Sequence, residues 1–398
     1  MEFRDLRRQY GRIKADIDAQ IEETILSTRF ISGDKVEALE ETLADYVNRK
    51  YCISCANGTD AITIALKAYG IGKGEAVFVP DFTFFSSGEC PAVEGATPVF
   101  VDVRRDTFNM DPTALATAIE EVLSEGELCP KPVVAVDLFG QPFDYTAIRK
   151  LCDTYGLLLL EDAAQGFGGV YTAENGIEKK ACSLGDISIT SFFPAKPLGC
   201  YGDGGAIFTD DKEIADLCRS IAVHGKAMQR PEDPEAKYDN VRLGMNSRLD
   251  TLQAGILLAK FPVFQSEELQ AVNRIAHLYN EYLQKYTSVE CPIVPTGYYS
   301  SWAQYTIKLG RGVDRAVLQK NLKAQGIPTN IYYKRPMHAQ KAFKGTRSER
   351  AKCPVTEALC ESVLCLPMHP YLKEAEVSSI SEALKSLLEQ TETDFYTV

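Results

Sequence analysis

No stretch of this sequence stays apolar for the ~20 residues that crossing a bilayer takes. Met1–Arg12 carries Arg4, Arg7, Arg8 and Arg12 where a secretory leader would need an apolar core. Basic residues are also in short supply: 43 Lys and Arg against 55 Asp and Glu leave a net charge of −12. A nucleic-acid surface needs clustered cations to neutralise phosphates, and this acidic balance argues against one. The four histidines, His224, His277, His338 and His369, are far apart, and none has the H-E-x-x-H spacing of a zinc helix. The twelve cysteines are scattered, and their one C-x-x-C, Cys52 and Cys55, falls in an expected strand, where residues three apart face opposite sides. With no second pair at zinc-finger spacing, reduced, mostly buried thiols are expected and no metal is assigned. Internal repeats and low-complexity tracts are missing as well. What remains is an expected cytoplasmic chain of 398 residues, 45% hydrophobic, long enough for two or three domains with sizeable cores.

From about residue 50 to 210 short apolar runs alternate with helical stretches. Strands are expected at Tyr51–Cys55, Ala76–Val79, Thr97–Val101, Val133–Val136, Leu157–Leu160 and Ile187–Phe192. Most are continuously apolar, as strands covered on both faces are. Asp111-Pro112 reads as an N-cap followed by proline at the first helical position, and Gly156 closes a helix begun near Phe143. Alternating strands and helices imply a mainly parallel α/β sheet. Two consecutive helices are expected over Arg248–Phe264 and Glu267–Tyr286. A strand at Ala303–Leu309 and helices near Asp314–Gln325 and Ala375–Gln390 complete a smaller α+β part, set off by the Pro- and Gly-rich Pro292–Gly297. The expected division is a large α/β domain over 1–250, then linking helices and a small C-terminal α+β domain over 251–398.

Ligands collect at the carboxyl ends of parallel strands, so the residues after each strand carry the candidate chemistry. After the first come Asn57, Gly58, Thr59 and Asp60, then an apolar helix; glycine allows close approach and helix-start amides can cradle a phosphate, although this is also an ordinary turn. After Leu157–Leu160 comes Glu161-Asp162-Ala163-Ala164-Gln165-Gly166. A carboxylate there is partly desolvated and needs a cationic partner, unless it only caps a helix. After Ile187–Phe192 comes Lys196, fixed between Pro194 and Pro197 and followed by the glycine-rich Cys200–Gly205. In a pocket its amine would lose its proton readily and attack carbonyls; in a solvated loop it would not. Ser191, five residues earlier, offers a hydroxyl to a phosphate. Together the three loops supply a Schiff-base lysine, an acid for a pyridinium nitrogen and a phosphate cup, the parts that pyridoxal phosphate (PLP) requires.

The segments N-G-T-D, E-D-A-A-Q, S-F-F-P-A-K-P-L-G-C-Y-G-D-G-G-A, N-S-R-L-D-T-L-Q-A and L-P-M-H-P-Y-L, in order along nearly the whole chain, resemble the DegT/DnrJ/EryC1/StrS sugar aminotransferases. K-Y-C-I-S-C-A-N-G-T-D-A and the lysine segment look most like the branch acting on UDP-2-acetamido-2-deoxy-3-oxo-D-glucuronate with L-glutamate as donor, for surface polysaccharides. The resemblance implies a type I PLP-dependent transferase fold, a mainly parallel seven-stranded-type sheet plus a small C-terminal domain. It implies that Lys196 carries the cofactor and moves the proton, Asp162 pairs with the pyridine nitrogen and Gln165 bonds the ring's phenolic oxygen. Gly58, Thr59 and Ser191 would bind the phosphate and Phe84 would stack on the ring. Asn246 would reach the phosphate from a partner subunit, making the active unit a homodimer, and Arg248 would face a substrate carboxylate. Tyr332 and Tyr333 fall in the substrate-contacting segment, where the branch carries His-Tyr; the Lys226–Asn240 loop and the stretch Glu120–Pro130 are longer than in the branch. His224, before Gly225, is a further candidate for substrate contact.

Family members that dehydrate deoxysugars replace the lysine by histidine, so Lys196 speaks against that route. A 4-keto nucleotide sugar as substrate, and a non-catalytic PLP-binding regulatory protein, stay open as alternatives. Replacing Lys196 by Ala should abolish the visible absorbance of the lysine–cofactor linkage and turnover while leaving the circular dichroism of the fold unchanged; full transamination by that variant would overturn the assignment.

Overall fold

The computed structural model describes residues 1–227 and 239–395, with backbone alone from Gln390 onward. The charged stretch Pro231–Asp239 and the Lys226–Asn240 loop therefore lie almost wholly outside the described residues. A seven-stranded sheet runs in the order Tyr51–Cys55, Gly205–Thr209, Ile187–Ser191, Leu158–Asp162, Cys129–Val136, Glu75–Pro80, Thr97–Val101. All neighbours from Ile187–Ser191 to Thr97–Val101 are parallel. Gly205–Thr209 is antiparallel to both of its neighbours. This strand was not expected: Ala-Ile-Phe-Thr after a glycine-rich turn is too short to announce itself, and only its burial between two partners makes it a strand.

The sheet is covered on both faces, which is why its strands are nearly continuous apolar runs. Cys55 packs with Ile62, Ile64 and Ile221 on one side, and Cys52 with Leu39, Phe208 and Phe261 on the other, as alternation along a strand demands. The helix Pro112–Glu125 starts at the Asp111 cap and ends at Gly126, and Tyr145–Tyr155 ends at Gly156 with φ 65°. The latter starts two residues later than expected because the Asp144 side chain accepts from the Ala147 amide. Asp250 likewise accepts from the Gln253 amide, so the next helix begins at Thr251 rather than Arg248. No break follows it: Thr251–Val263 continues through a π-helical turn, Phe264–Glu268, into Leu269–Leu283. Leu6–Ser27 lies against Thr251–Val263, with Ile13 and Ile17 meeting Ile256.

A second, antiparallel sheet joins Val289–Glu290, Tyr305–Leu309 and Val363–Leu366. Tyr279, Tyr305, Ile307, Leu364 and Leu384 are buried in its core. Between its first two strands the chain makes a detour: Tyr298–Tyr299 pairs with Val170–Thr172, which hairpins with Glu178–Lys180.

Beneath the mouth of the large sheet, Glu161 is fully buried. Its carboxylate accepts from the amides of Cys182 (2.7 Å), Leu184 (2.7 Å) and Gly185 (3.2 Å) and from the Ser188 hydroxyl (2.6 Å). Four donors satisfy an anion that could not otherwise be buried. Nearby, burial and the Glu161 charge push the Asp137 carboxyl well above the usual carboxylate range. Glu161→Gln would turn an NH2 toward amides that need an acceptor, and chemical denaturation should show a loss of about 2–3 kcal/mol.

Candidate active site

A cavity of about 630 Å³ opens where the strands end. Most of its lining continues strands of the large sheet. After Tyr51–Cys55, the Asn57 side chain accepts from the Asp60 amide at 2.8 Å and starts the helix Gly58–Ala68. Its first turn, Gly58 and Thr59, faces the cavity beside Ser191. A Cβ on Gly58 would come within 2.8 Å of the Ser191 Cβ, and one on Gly205 within 2.6 Å of the Asn57 backbone. The helix start can be seated against Ser191 only because both positions lack side chains. Helix-start amides and a hydroxyl form a seat for a phosphate.

Asp162 ends its strand 4% exposed. Its carboxylate accepts from the Ser87 hydroxyl at 2.9 Å and from the Ala164 amide at 3.1 Å. Burial raises its pKa, while those two bonds and the Lys196 charge oppose the rise. Lys196 lines the same cavity. Burial lowers its pKa to about 8; attraction to Asp162 works against this and the positive charge of Arg4 works with it. The amine is still mostly protonated at physiological pH, but it gives up its proton far more readily than an ordinary lysine, as a nucleophile toward carbonyls must.

The Gln165 amide donates to the Tyr333 hydroxyl at 3.1 Å and its oxygen accepts from the Phe139 amide at 2.9 Å. Phe84 lines the cavity and is half exposed, and Tyr332 and Tyr333 face it from the segment after residue 330. That segment is pinned by Asp81. The Asp81 carbonyl accepts from the Met337 amide (3.0 Å), and its carboxylate meets the His338 amide (2.8 Å) and ring Nδ1 (2.7 Å). The hydrogen bond to Asp81 raises the His338 pKa.

Gly58, Thr59, Phe84, Asp162, Gln165, Ser191, Lys196, Tyr332 and Tyr333 thus meet in one cavity. Asn246 and Arg248 do not: both are exposed and neither lines the cavity of its own chain. Asn246 instead forms a bridge with Val223, and the His224 carbonyl accepts from the Asn240 amide. Missed in the sequence were Ser87, Gln304, Arg335 and Gln340. Ser87 could have been found by the strand-end rule, since it follows Glu75–Pro80; the others sit on loops without pattern. Asp81, His338 and Cys353 have ligand-type atoms within 4.8 Å of one another, a grouping that no spacing reveals.

A profile of the DegT/DnrJ/EryC1/StrS aminotransferase family matches residues 11–385. A Pseudomonas aeruginosa protein named UDP-2-acetamido-2-deoxy-3-oxo-D-glucuronate aminotransferase is 42% identical over 384 residues, covering 96% of this chain and 99% of that one. A Geobacillus stearothermophilus protein named pleiotropic regulatory protein is 40% identical over 382 residues, 96% of each chain. A Bacillus subtilis structure with the bound cofactor PMP superposes with a TM-score of 0.83 at 28% identity, covering 95% of this chain and 82% of that one.

With Lys196 titrating near 8, its reaction with a small aldehyde in the cofactor-free chain, trapped by borohydride and read by peptide mass spectrometry, should climb with pH and level off above about 8. A lysine in its ordinary range would keep gaining about tenfold per pH unit toward pH ~10.

Proposed function

The chain belongs to the DegT/DnrJ/EryC1/StrS aminotransferase family, and from that premise we propose that it moves an amino group from L-glutamate to a 3-keto nucleotide sugar, first of all UDP-2-acetamido-2-deoxy-3-oxo-D-glucuronate. The observation that carries the reading is a buried, readily deprotonated Lys196 amine sharing a cavity with the buried Asp162 carboxyl and with an anion seat at Gly58, Thr59 and Ser191. This donor set fits PLP: an amine for its aldehyde, an acid for its ring nitrogen and amides for its phosphate. Bound PLP supplies an electron-withdrawing ring that stabilises charge at the carbon losing its proton.

The chain's own residues do the rest. Lys196 Nζ would hold the cofactor and, kept in the same cavity, would carry the proton from and to the substrate carbon. Asp162, steadied by the Ser87 hydroxyl, would pair with the ring nitrogen and keep it protonated. Gln165 and Phe84, which line the cavity, would bond the ring's phenolic oxygen and stack on the ring. Tyr332 and Tyr333 line the sugar side, where phenols hydrogen-bond a sugar or carboxylate without carrying a charge. The relative from Pseudomonas, matched over nearly its whole length, supports the 3-keto UDP-sugar acid as substrate.

The active unit we propose is a homodimer working in the cytoplasm on precursors of surface polysaccharide. Asn246 and Arg248, exposed and off their own cavity, would then complete the partner's site at its phosphate and at a substrate carboxylate. Phe84 and Phe193 line the cavity yet stay about half exposed (54% and 52%), and Leu243 is 94% exposed; a second copy would cover such apolar surface. The regulatory sense of the Geobacillus relative's name is tested by glutamate: a passive PLP binder, holding the cofactor through the same lysine, would not convert it.

Adding L-glutamate should convert the bound cofactor's absorbance to that of its amino form with release of 2-oxoglutarate, and mass spectrometry over a panel of 3-keto and 4-keto UDP-sugars should find amination of the 3-keto acid. Mixing Lys196→Ala with Asn246→Ala chains should restore activity that neither has alone. No conversion by glutamate would remove the aminotransferase reading, and no restoration would remove the shared site.

A further inference from the structure

The loop that carries Lys196 poses a hydrogen-bonding problem. Pro194 and Pro197 cannot donate, so the loop is poor in amides and its carbonyls need donors from elsewhere. The Lys196 amide itself turns back to the Phe193 carbonyl at 2.8 Å. The loop's free carbonyls are met by two cations from distant parts of the chain. Arg4 donates one guanidinium nitrogen to the Lys196 carbonyl at 2.7 Å and reaches the Pro197 carbonyl at 3.4 Å. Lys260, 1% exposed, donates its ammonium to the Gly199 carbonyl.

Neither cation has an ion-pair partner among the described residues. The nearby acid, Glu268, is 5% exposed and spends one carboxylate oxygen on the Gln9 amide (2.9 Å) and the Tyr371 hydroxyl (2.6 Å). Burying a cation against carbonyls rather than a carboxylate is costly if its role is only to hold the fold. A neutral donor would satisfy the same carbonyls more cheaply. What a charge adds is a positive field behind Lys196.

We propose that Arg4 is a positioning residue for Lys196: from the N-terminal arm it holds the carbonyls of Lys196 and Pro197, and so sets where the amine stands and what charge surrounds it. The proposal rests on Lys196 being the amine that holds the cofactor. The field acts against the ammonium form, in the direction already found for Lys196. On the cavity side the opposing groups are Asp162 and Asp203. On the arm side Arg4 faces Glu268, Tyr371 and His369, and Lys260 faces Glu268 and Cys200. The same arm also touches the sugar side: the Phe3 ring meets Tyr332 edge-on at 6.5 Å, and the Phe3 carbonyl accepts from the Met368 amide at 3.1 Å. Two adjacent residues thereby tie the lysine loop to the wall facing the substrate.

The test compares holoenzymes of the wild type, Arg4→Gln and Arg4→Lys by absorbance titration of the bound cofactor against pH, with kcat, KM and melting temperature measured alongside. Arg4→Gln can still donate but carries no charge; its titration midpoint should move to higher pH and kcat should fall ~10- to 100-fold with KM little changed. Arg4→Lys restores the charge but not the two-carbonyl reach; it should keep the wild-type midpoint and recover part of kcat. An Arg4→Gln enzyme with wild-type midpoint and kcat overturns the proposal. So does an equal loss of kcat in both variants without any shift of the midpoint, which is what a merely structural role would give. Should Arg4→Gln not fold, Arg4→Met, which keeps the length of the side chain without its charge, carries the same midpoint test. A wild type whose bound cofactor shows no lysine-linked titration would fail differently, removing Lys196 from the cofactor rather than Arg4 from Lys196.

Discussion

Taking one amine and one carboxyl out of water at the same sheet edge is the constraint on which the site depends. Burial pushes Lys196 and Asp162 toward their neutral forms, and their mutual attraction pulls both back toward charge. The surroundings decide how far each goes. Asp162 is given two donors, Ser87 and Ala164, and so stays able to bear charge. The Lys196 amine shares its surroundings with a guanidinium and so leans toward neutrality. An acid that can bear charge, facing an amine that need not, suits a site that must hold one proton on a ring and move another between carbons.

The glycines show how close that edge is built. Gly58 and Gly205 are where two strands and a helix start converge so tightly that no Cβ fits. The neighbouring Glu161 points the other way, and its four donors tie the segment after the small hairpin beneath the sheet. Two adjacent carboxyls on one strand thus serve opposite ends, one facing ligand and one facing core, because alternation along a strand sends them to opposite faces.

Much of this was legible in the sequence, for a physical reason. Strand ends of a parallel sheet gather on one side, so reading the residues after each apolar run places Gly58, Asp162 and Lys196 at one cavity without any coordinates, with Ser191 at the end of its own strand. The strands of the large sheet were found to within a residue or two, except Cys129–Val136, which starts four residues early, and Gly205–Thr209, whose three apolar residues carry no period. Val363–Leu366 of the small sheet was not expected. Illegible were contacts set by tertiary packing alone. Arg4 sits 192 positions before the carbonyl it holds, and Asp81 257 before the histidine it pins. Nothing local to those residues distinguishes them from surface charges.

The detour of Tyr298–Tyr299 into the sheet of the small hairpin has a consequence for how substrate comes and goes. The chain leaves the small sheet at Glu290, is stitched to the body, and returns at Tyr305, while Met368 is tied to the N-terminal arm. A part fastened at several points cannot swing as a lid on one hinge. Substrate must then pass a mouth whose walls are tied together through the backbone, with Phe84 and Phe193 on its rim.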